Sequence, residues 1–195
     1  MIMTKIESVI STDDCLFVED VLAAGISKSQ LYKYIKQNGL IRVQHGVYAT
    51  SDTWIDEDYV LHRRCAQAVF SHDTALYYHG LTDMEPLQQT ITLPTGYNTK
   101  KLSVDGIKVY TIKKELIELG RIIITNDSGH KIPVYDLERT ICDILRNRKT
   151  LEIQIYTDAI KKYISRKDKN LTKLMEYGNL FHLTNIIRNY MEVLL

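Results

Sequence analysis

The chain is poor in everything that marks a membrane or disulfide-built protein. It has three cysteines in 195 residues: Cys15, Cys65 and Cys142. They lie far apart in apolar contexts, with no C-x-x-C pair. An odd, scattered set excludes a disulfide framework and a clustered zinc site, and fits reduced cytosolic thiols filling a core. Prolines number three and glycines nine, with no low-complexity stretch and no internal repeat. No apolar run reaches the ~18 residues of a membrane helix. The N-terminus has no apolar signal-peptide core, so a cytoplasmic protein is expected. A charge excess is also missing. Twenty-five bases against 24 acids leave a net charge of +1. Nothing global draws this chain to nucleic acid, and any such binding must come from local asymmetry. There is no Walker loop and no G-x-G-x-x-G.

What is present is an ordinary globular composition, 45% hydrophobic and 25% charged, long enough for one large or two small domains. The most informative stretch is 21–50, VLAAGISKSQLYKYIKQNGLIRVQHGVYAT. Gly25 closes a short helix over 18–24, since glycine takes the left-handed backbone without steric cost. Ser27-Lys28-Ser29-Gln30 is a capping box that opens a second helix over 28–37. So short a turn forces the two helices to cross. Leu31, Tyr34 and Ile35 make the buried face of the second helix. Lys28, Ser29, Tyr32, Lys33 and Lys36 make the other. That face has no acid and carries donors long enough for phosphates and base edges. Asn38-Gly39 ends the helix. Two apolar runs, 40–43 and 47–49, flank a turn at Gln44-His45-Gly46 and predict a hairpin. This order is a winged helix-turn-helix, with Arg42, Gln44 and His45 on the wing. Within 1–50 all five acids precede Val21, and four of five bases follow it. A local field of one sign is what DNA binding needs. The bland alternative is a solvated basic helix face.

An N-terminal helix over about 3–11 and a break at 12–14 complete this unit. The expected fold class is α+β: a winged helix-turn-helix domain at 1–50, then a domain at 51–195. The second domain reads as mixed α/β over 56–148 with a helical tail over 150–195. Trp54 is an aromatic anchor at the boundary. Helices are expected at 56–67, 72–79 and 137–146, and strands at 68–70, 89–93, 106–112, 121–125 and 132–135. Pro133 suggests an edge strand or a strand end. Further helices are expected at 151–165, 171–177 and 183–194, with a packed C-terminus. From 145 to 173 nine bases face three acids. Arg146, Arg148, Lys149, Lys161, Lys162, Arg166 and Lys167 are its main members. They form either a solvated helical face or a second basic surface for DNA backbone or an acidic partner.

No catalytic constellation is expected. Ser71-His72-Asp73 contains the letters of a triad, but neighbours at a helix start point in different directions. A helix cap and first-turn residues explain all three. His72 and His79 lie two turns apart, too far to share a metal without further ligands. Asp136 reads as a cap, Glu138 as a first-turn acid, and Arg139–Asp143 as a surface ion pair of small worth. The chain therefore reads as non-enzymatic, with no cofactor and no metal.

At this point a set of segments resembles one family. GISKSQLYKYIKQNGLIRVQHGVY is similar to the winged helix of AbiEi antitoxins, from type IV toxin–antitoxin (abortive infection) systems. The resemblance continues through FSHDTALYYHGLTD, ITLPTGYN, GIKVYTIKKELIELG, IPVYDLERTICDILRNRK and IIRNYMEVLL. It implies an autorepressor that binds inverted repeats in its own promoter, two copies per operator. It also implies that the C-terminal domain opposes a nucleotidyltransferase-like toxin, with no direct contact required, as a phage-resistance function. By position, the DNA-contacting residues would be Ser27, Lys28, Ser29, Gln30, Tyr32, Lys33 and Lys36, with Arg42, Gln44 and His45. Two other readings stay open: a winged-helix regulator whose C-terminal domain senses a ligand or partner, and an enzyme acting on nucleic acid.

Overall fold

A computed structural model describes residues 6–7 and 15–194. The expected first helix lies outside the described residues except Ile6 and Glu7, which are helical, and so does the break at 12–14. The fold is mixed α+β, in two compact units, 1–60 and 61–195. The division falls later than Thr50 because Ile55, Tyr59 and Val60 pack with Cys15, Phe17, Val47 and Ala49. Trp54 is no anchor, at 88% exposure.

In the first unit β1 (Leu16–Phe17) runs straight into α1 (Val18–Ala23), followed by α2 (Lys28–Gln37), β2 (Ile41–Gln44) and β3 (Val47–Ala49). The three strands pair in the order β1-β3-β2, all antiparallel. β1 has no signal in the sequence, because two residues carry no periodicity. Ile6, Leu16, Val21, Ile26, Leu31, Tyr34 and Ile35 form one buried cluster between helices and sheet. The hairpin turn needs Gly46 at φ 79°, where a side chain would be strained. A bulge at Val43 breaks the β2–β3 register.

The helix α3 (Glu57–Arg64) ends three residues before the expected stop. Asp56 caps it through Tyr59 N at 3.0 Å. Then come β4 (Val69–Phe70), α4 (His72–Tyr78), β5 (Thr90–Pro94), α5 (Lys100–Val104), β6 (Lys108–Ile112), a 3₁₀ turn at Lys114–Leu116, β7 (Arg121–Thr125) and β8 (Lys131–Tyr135). The sheet order is β6-β5-β4-β8-β7, with β4–β8 and β5–β6 parallel. Pro133 is therefore neither on an edge strand nor at a strand end. It is tolerated because two-residue β4 meets β8 only at Phe70–Val134, so little of that ladder asks a donor of it.

Four helices close the chain: α6 (Leu137–Asn147), α7 (Ile153–Ser165), α8 (Leu171–Leu180) and α9 (Thr184–Leu194). Their apolar faces meet α4 around Leu76, Ile141, Ile144, Ile160, Tyr163, Leu174 and Ile187. At Gly178 a Cβ would come within 2.4 Å of Ile187 Cδ1, so α8 and α9 pack at glycine distance. The C-terminus is less packed than expected. Met191 touches the core, but Val193 is 81% exposed.

Candidate functional site

Two arrangements carry polar chemistry, one in each unit. The first is the outer face of α2 with the β2–β3 hairpin. Gly25, at φ 79°, closes α1, and its N–H donates to Leu22 O at 3.0 Å. Ser27 Oγ then accepts from Gln30 N at 3.4 Å, while Gln30 Oε1 accepts from Ser27 N at 3.1 Å and from Ser27 Oγ at 3.0 Å. This is the reciprocal capping box that the sequence spells. At the other end Leu40 N donates to Ile35 O across Gly39, at φ 62°, a Schellman closure.

Leu31, Tyr34 and Ile35 are buried under the helix. Lys28, Ser29, Gln30, Tyr32, Lys33 and Lys36 are exposed on it, Tyr32 at 53%. Arg42 and His45 are exposed on the hairpin and Gln44 is half-exposed. Arg42 Nε donates to Gln44 O at 3.3 Å, which holds the guanidinium along the hairpin. The predicted residues thus lie on two consecutive elements, and none of them is an acid. The capping box divides them by chemistry. Bidentate readout of adenine needs the amide oxygen and nitrogen of a glutamine together. The oxygen of Gln30 is committed to Ser27, so only its N–H₂ group faces outward. Ser29 Oγ lies 3.0 Å from Ser27 Oγ and shares part of its capacity with the cap. Tyr32, Lys28, Lys33 and Lys36 carry no such commitment in the box.

The second arrangement is a buried polar lattice around α6. Here the structure corrects three readings. Arg139 and Asp143 are not a surface pair: their side chains are 0% and 3% exposed, with Nε 3.1 Å from Oδ2. Arg139 Nη1 also donates to Leu116 O at 3.0 Å and Leu119 O at 2.7 Å. Its guanidinium lies between the rings of Tyr135 and Phe181, at 4.0 and 4.7 Å. Gly120, at φ 77°, lets this happen, since a Cβ there would meet Arg139 Cβ at 2.6 Å. Burial pushes the Asp143 carboxyl above the ordinary carboxylate range, and Arg139 pulls it back. Glu138 is no solvated first-turn acid. It is buried and accepts from Tyr163 OH at 3.0 Å and Asn170 N at 2.9 Å. Asp136 does cap α6, accepting from Arg139 N at 2.8 Å, and it also holds Lys173 Nζ at 2.7 Å and Tyr177 OH at 3.2 Å.

The third correction concerns Ser71 and His72. The Ser71 side chain makes no capping bond. It meets its neighbour instead: His72 sits at φ 47°, a left-handed step, and its Nδ1 lies 3.0 Å from Ser71 Oγ. Asn147 Nδ2 lies 3.0 Å from Asp143 O and 2.9 Å from His72 Nε2. A donor on that side makes Nε2 the acceptor and places the ring proton on Nδ1. The ring stacks on Tyr110 at 3.6 Å. Burial first, then the charges of Lys108, Arg139 and Arg146, lower the His72 pKa to about 3. Ser71 and His72 are both closed to solvent, so this contact offers no open nucleophile. Asp73 binds Lys108 at 3.1 Å instead. His79 Nε2 donates to Tyr135 O at 2.6 Å. Among the described residues, no three His, Cys, Asp or Glu side chains gather as a metal would need.

The basic stretch is partly neutralised by acids, from within it and from Asp83. Lys161 reaches Asp158 at 3.9 Å, Lys162 binds Asp83 at 2.7 Å, and Arg166 makes a two-point pair with Asp168. Arg148 donates to Leu145 O, and Arg146 lies over Phe181 at 5.7 Å. Lys149 and Lys167 are exposed. No helix among the described residues is long and apolar enough to cross a membrane.

No protein-family model matches the chain, and no curated protein does. Among solved structures it is similar to the RV2827C protein from Mycobacterium tuberculosis, with a TM-score of 0.63 at 12% identity, over 90% of this chain and 70% of that one. A likeness at that identity is a likeness of fold.

Proposed function

We propose that the chain is a DNA-binding antitoxin of the AbiEi type, which represses its own operon and opposes a nucleotidyltransferase-like toxin from the cytoplasm. The observation that carries the DNA part is the order and chemistry of one surface. The helix α2 stands behind a glycine-closed turn, presents Lys28, Tyr32, Lys33 and Lys36 with no acid, and runs directly into a hairpin carrying Arg42, Gln44 and His45. That order supports a winged helix-turn-helix, with α2 in the major groove and the hairpin on backbone or minor groove. On this reading Lys33 and Lys36 hold phosphates. Sequence is read by Tyr32, Ser29, Lys28 and the outward N–H₂ of Gln30, which selects acceptor edges over adenine's donor–acceptor pair.

The antitoxin part rests on the family resemblance of the second unit, and the chain has no catalytic task on this reading. Two experiments test the proposal together. Footprinting on DNA upstream of the gene should protect an inverted repeat. Co-expression with the neighbouring toxin should restore growth. No protection removes the repressor, and no rescue removes the antitoxin. An affinity that depends on a small effector would favour a regulator with a sensing C-terminal unit.

A further inference from the structure

Among the described residues the strand β7 ends its sheet and pairs on one side only, with β8. Asn126 N donates to His130 O at 2.9 Å, and Asp136 N donates to Gly120 O at 2.7 Å. These bonds mark pairs 126/130 and 120/136 as bonded pairs of the antiparallel ladder. Bonded pairs alternate, so Ile122 and Ile124 turn their backbone groups to β8. Arg121, Ile123 and Thr125 turn theirs outward. Arg121 N is satisfied at home, by Glu118 O at 3.2 Å. What remains on the edge is the N–H of Ile123 and Thr125 and the C=O of Arg121, Ile123 and Thr125.

Natural edges are blunted with charge, proline, bulges or short length. This edge has five residues in unbroken register and no proline, and its only charge is at its start. Ile123 is 57% exposed and Ile122 36%. The opposite edge, β6, carries Lys108 bonded to Asp73 and is preceded by α5.

We propose that β7 is a dimerisation strand, on which a second copy of this chain pairs antiparallel about a twofold axis through Ile123. About that axis each Ile123 N–H donates to the second copy's Ile123 O. Each Thr125 N–H donates to the second copy's Arg121 O. The donor left over is Arg121 N, which already has its partner. Side chains match as well. Ile123 meets Ile123, and Ile122 lies against Ile124 of the second copy. Arg121 falls opposite Thr125, so no like charges face each other across the pairing. The strand is complementary to itself, which is what an isologous interface requires. A strand-to-strand contact is at the small end of stable interfaces, so the dimer is concentration-dependent. This pairing stands whether or not the α2 face meets DNA.

The test is sedimentation equilibrium on the full chain from micromolar to submillimolar concentration. The mass should rise toward twice the 22.6 kDa of one chain. Ile123→Lys sets two ammonium groups face to face and should hold the mass at one chain, with unchanged circular dichroism. Bonded antiparallel pairs bring Cα atoms to about 5.5 Å, within disulfide span. Ile123→Cys should therefore cross-link under mild oxidation, faster than Val104→Cys at an exposed position elsewhere in the same unit. The three native cysteines are buried. A mass of one chain at the highest concentration overturns the proposal. So does a dimer that survives Ile123→Lys, or equal cross-linking of the two cysteine variants. Should Ile123→Lys fail to fold, the cysteine pair decides alone.

Discussion

Arg139 bears more structure than any other polar residue of the second unit, and its removal has a calculable consequence. Arg139→Met keeps most of the stem and takes away the guanidinium. Asp143 is then a carboxylate in a fully enclosed site with its cation gone. Leu116 O and Leu119 O lose the donor that serves both. Breaking a buried pair from one side costs about 3–5 kcal/mol. Each orphaned carbonyl adds about 1–3 kcal/mol unless water enters, so the upper end of the range applies. Domain stability is about 5–15 kcal/mol, so the variant loses a large fraction of it. At about 3 °C per kcal/mol for a unit of this size, Tm falls by about 10–15 °C. Far-UV circular dichroism against urea and temperature reads this out. Fluorescence of the single tryptophan would not, because Trp54 is exposed before and after. The double variant Arg139→Met/Asp143→Leu should recover much of the loss, since a buried pair exchanged for apolar groups is often near neutral. A loss under ~1 kcal/mol in Arg139→Met, or a double variant worse than either single, would refute the reasoning.

Other predictions are as direct. His72 is held neutral in the fold, with a pKa of about 3 against an ordinary 6.5. The unfolded chain therefore binds the extra proton below pH 6.5, and stability is full above that value and falls as pH drops toward 3. Between pH 6.5 and pH 5 the loss is about 2 kcal/mol, read as a lower urea midpoint, and His79, lowered by burial, adds in the same direction. Gly120→Ala should destabilise by more than ~1 kcal/mol, because it combines a strained φ with a clash against Arg139; thermal melts decide. Lys33→Ala and Lys36→Ala should weaken binding to all DNA and lower the salt slope by about one each. Gln30→Ala should cost about 1 kcal/mol of stability through the cap, and Gln30→Glu, whose oxygen still caps, should recover it in the same melt.

The first unit was legible because its signals are local. Gly25, Ser27, Gln30, Asn38 and Gly39 act within a few residues of themselves, and Leu31, Tyr34 and Ile35 are spaced by the helix alone. Pairing of Leu16–Phe17 with β3 was hidden, because it joins residues some thirty apart with no pattern of their own. The second unit was legible in its elements and misread in its polar residues. The letters of Asp136, Glu138, Arg139 and Asp143 are those of a solvated helix face. They are buried because Leu116, Leu119, Tyr163 and Phe181 close over them from distant segments, with Tyr135 beside them. Two cues were available: the pairing of an arginine with the acid four residues on, and the supply of tyrosines whose hydroxyls could reach into a core. Ser71 does stand at the N-cap of α4, but its hydroxyl is taken by His72 and Thr92 and makes no capping bond, which local sequence does not show.

The central claim is that α2 and its hairpin read a specific DNA site. Fluorescence anisotropy of the full chain tests it, using labelled DNA from just upstream of the gene and a shuffled duplex across a salt titration. A preference of ~10³ or more for the upstream DNA is expected, with steep salt dependence on both duplexes. Equal, weak binding to the two duplexes would contradict it.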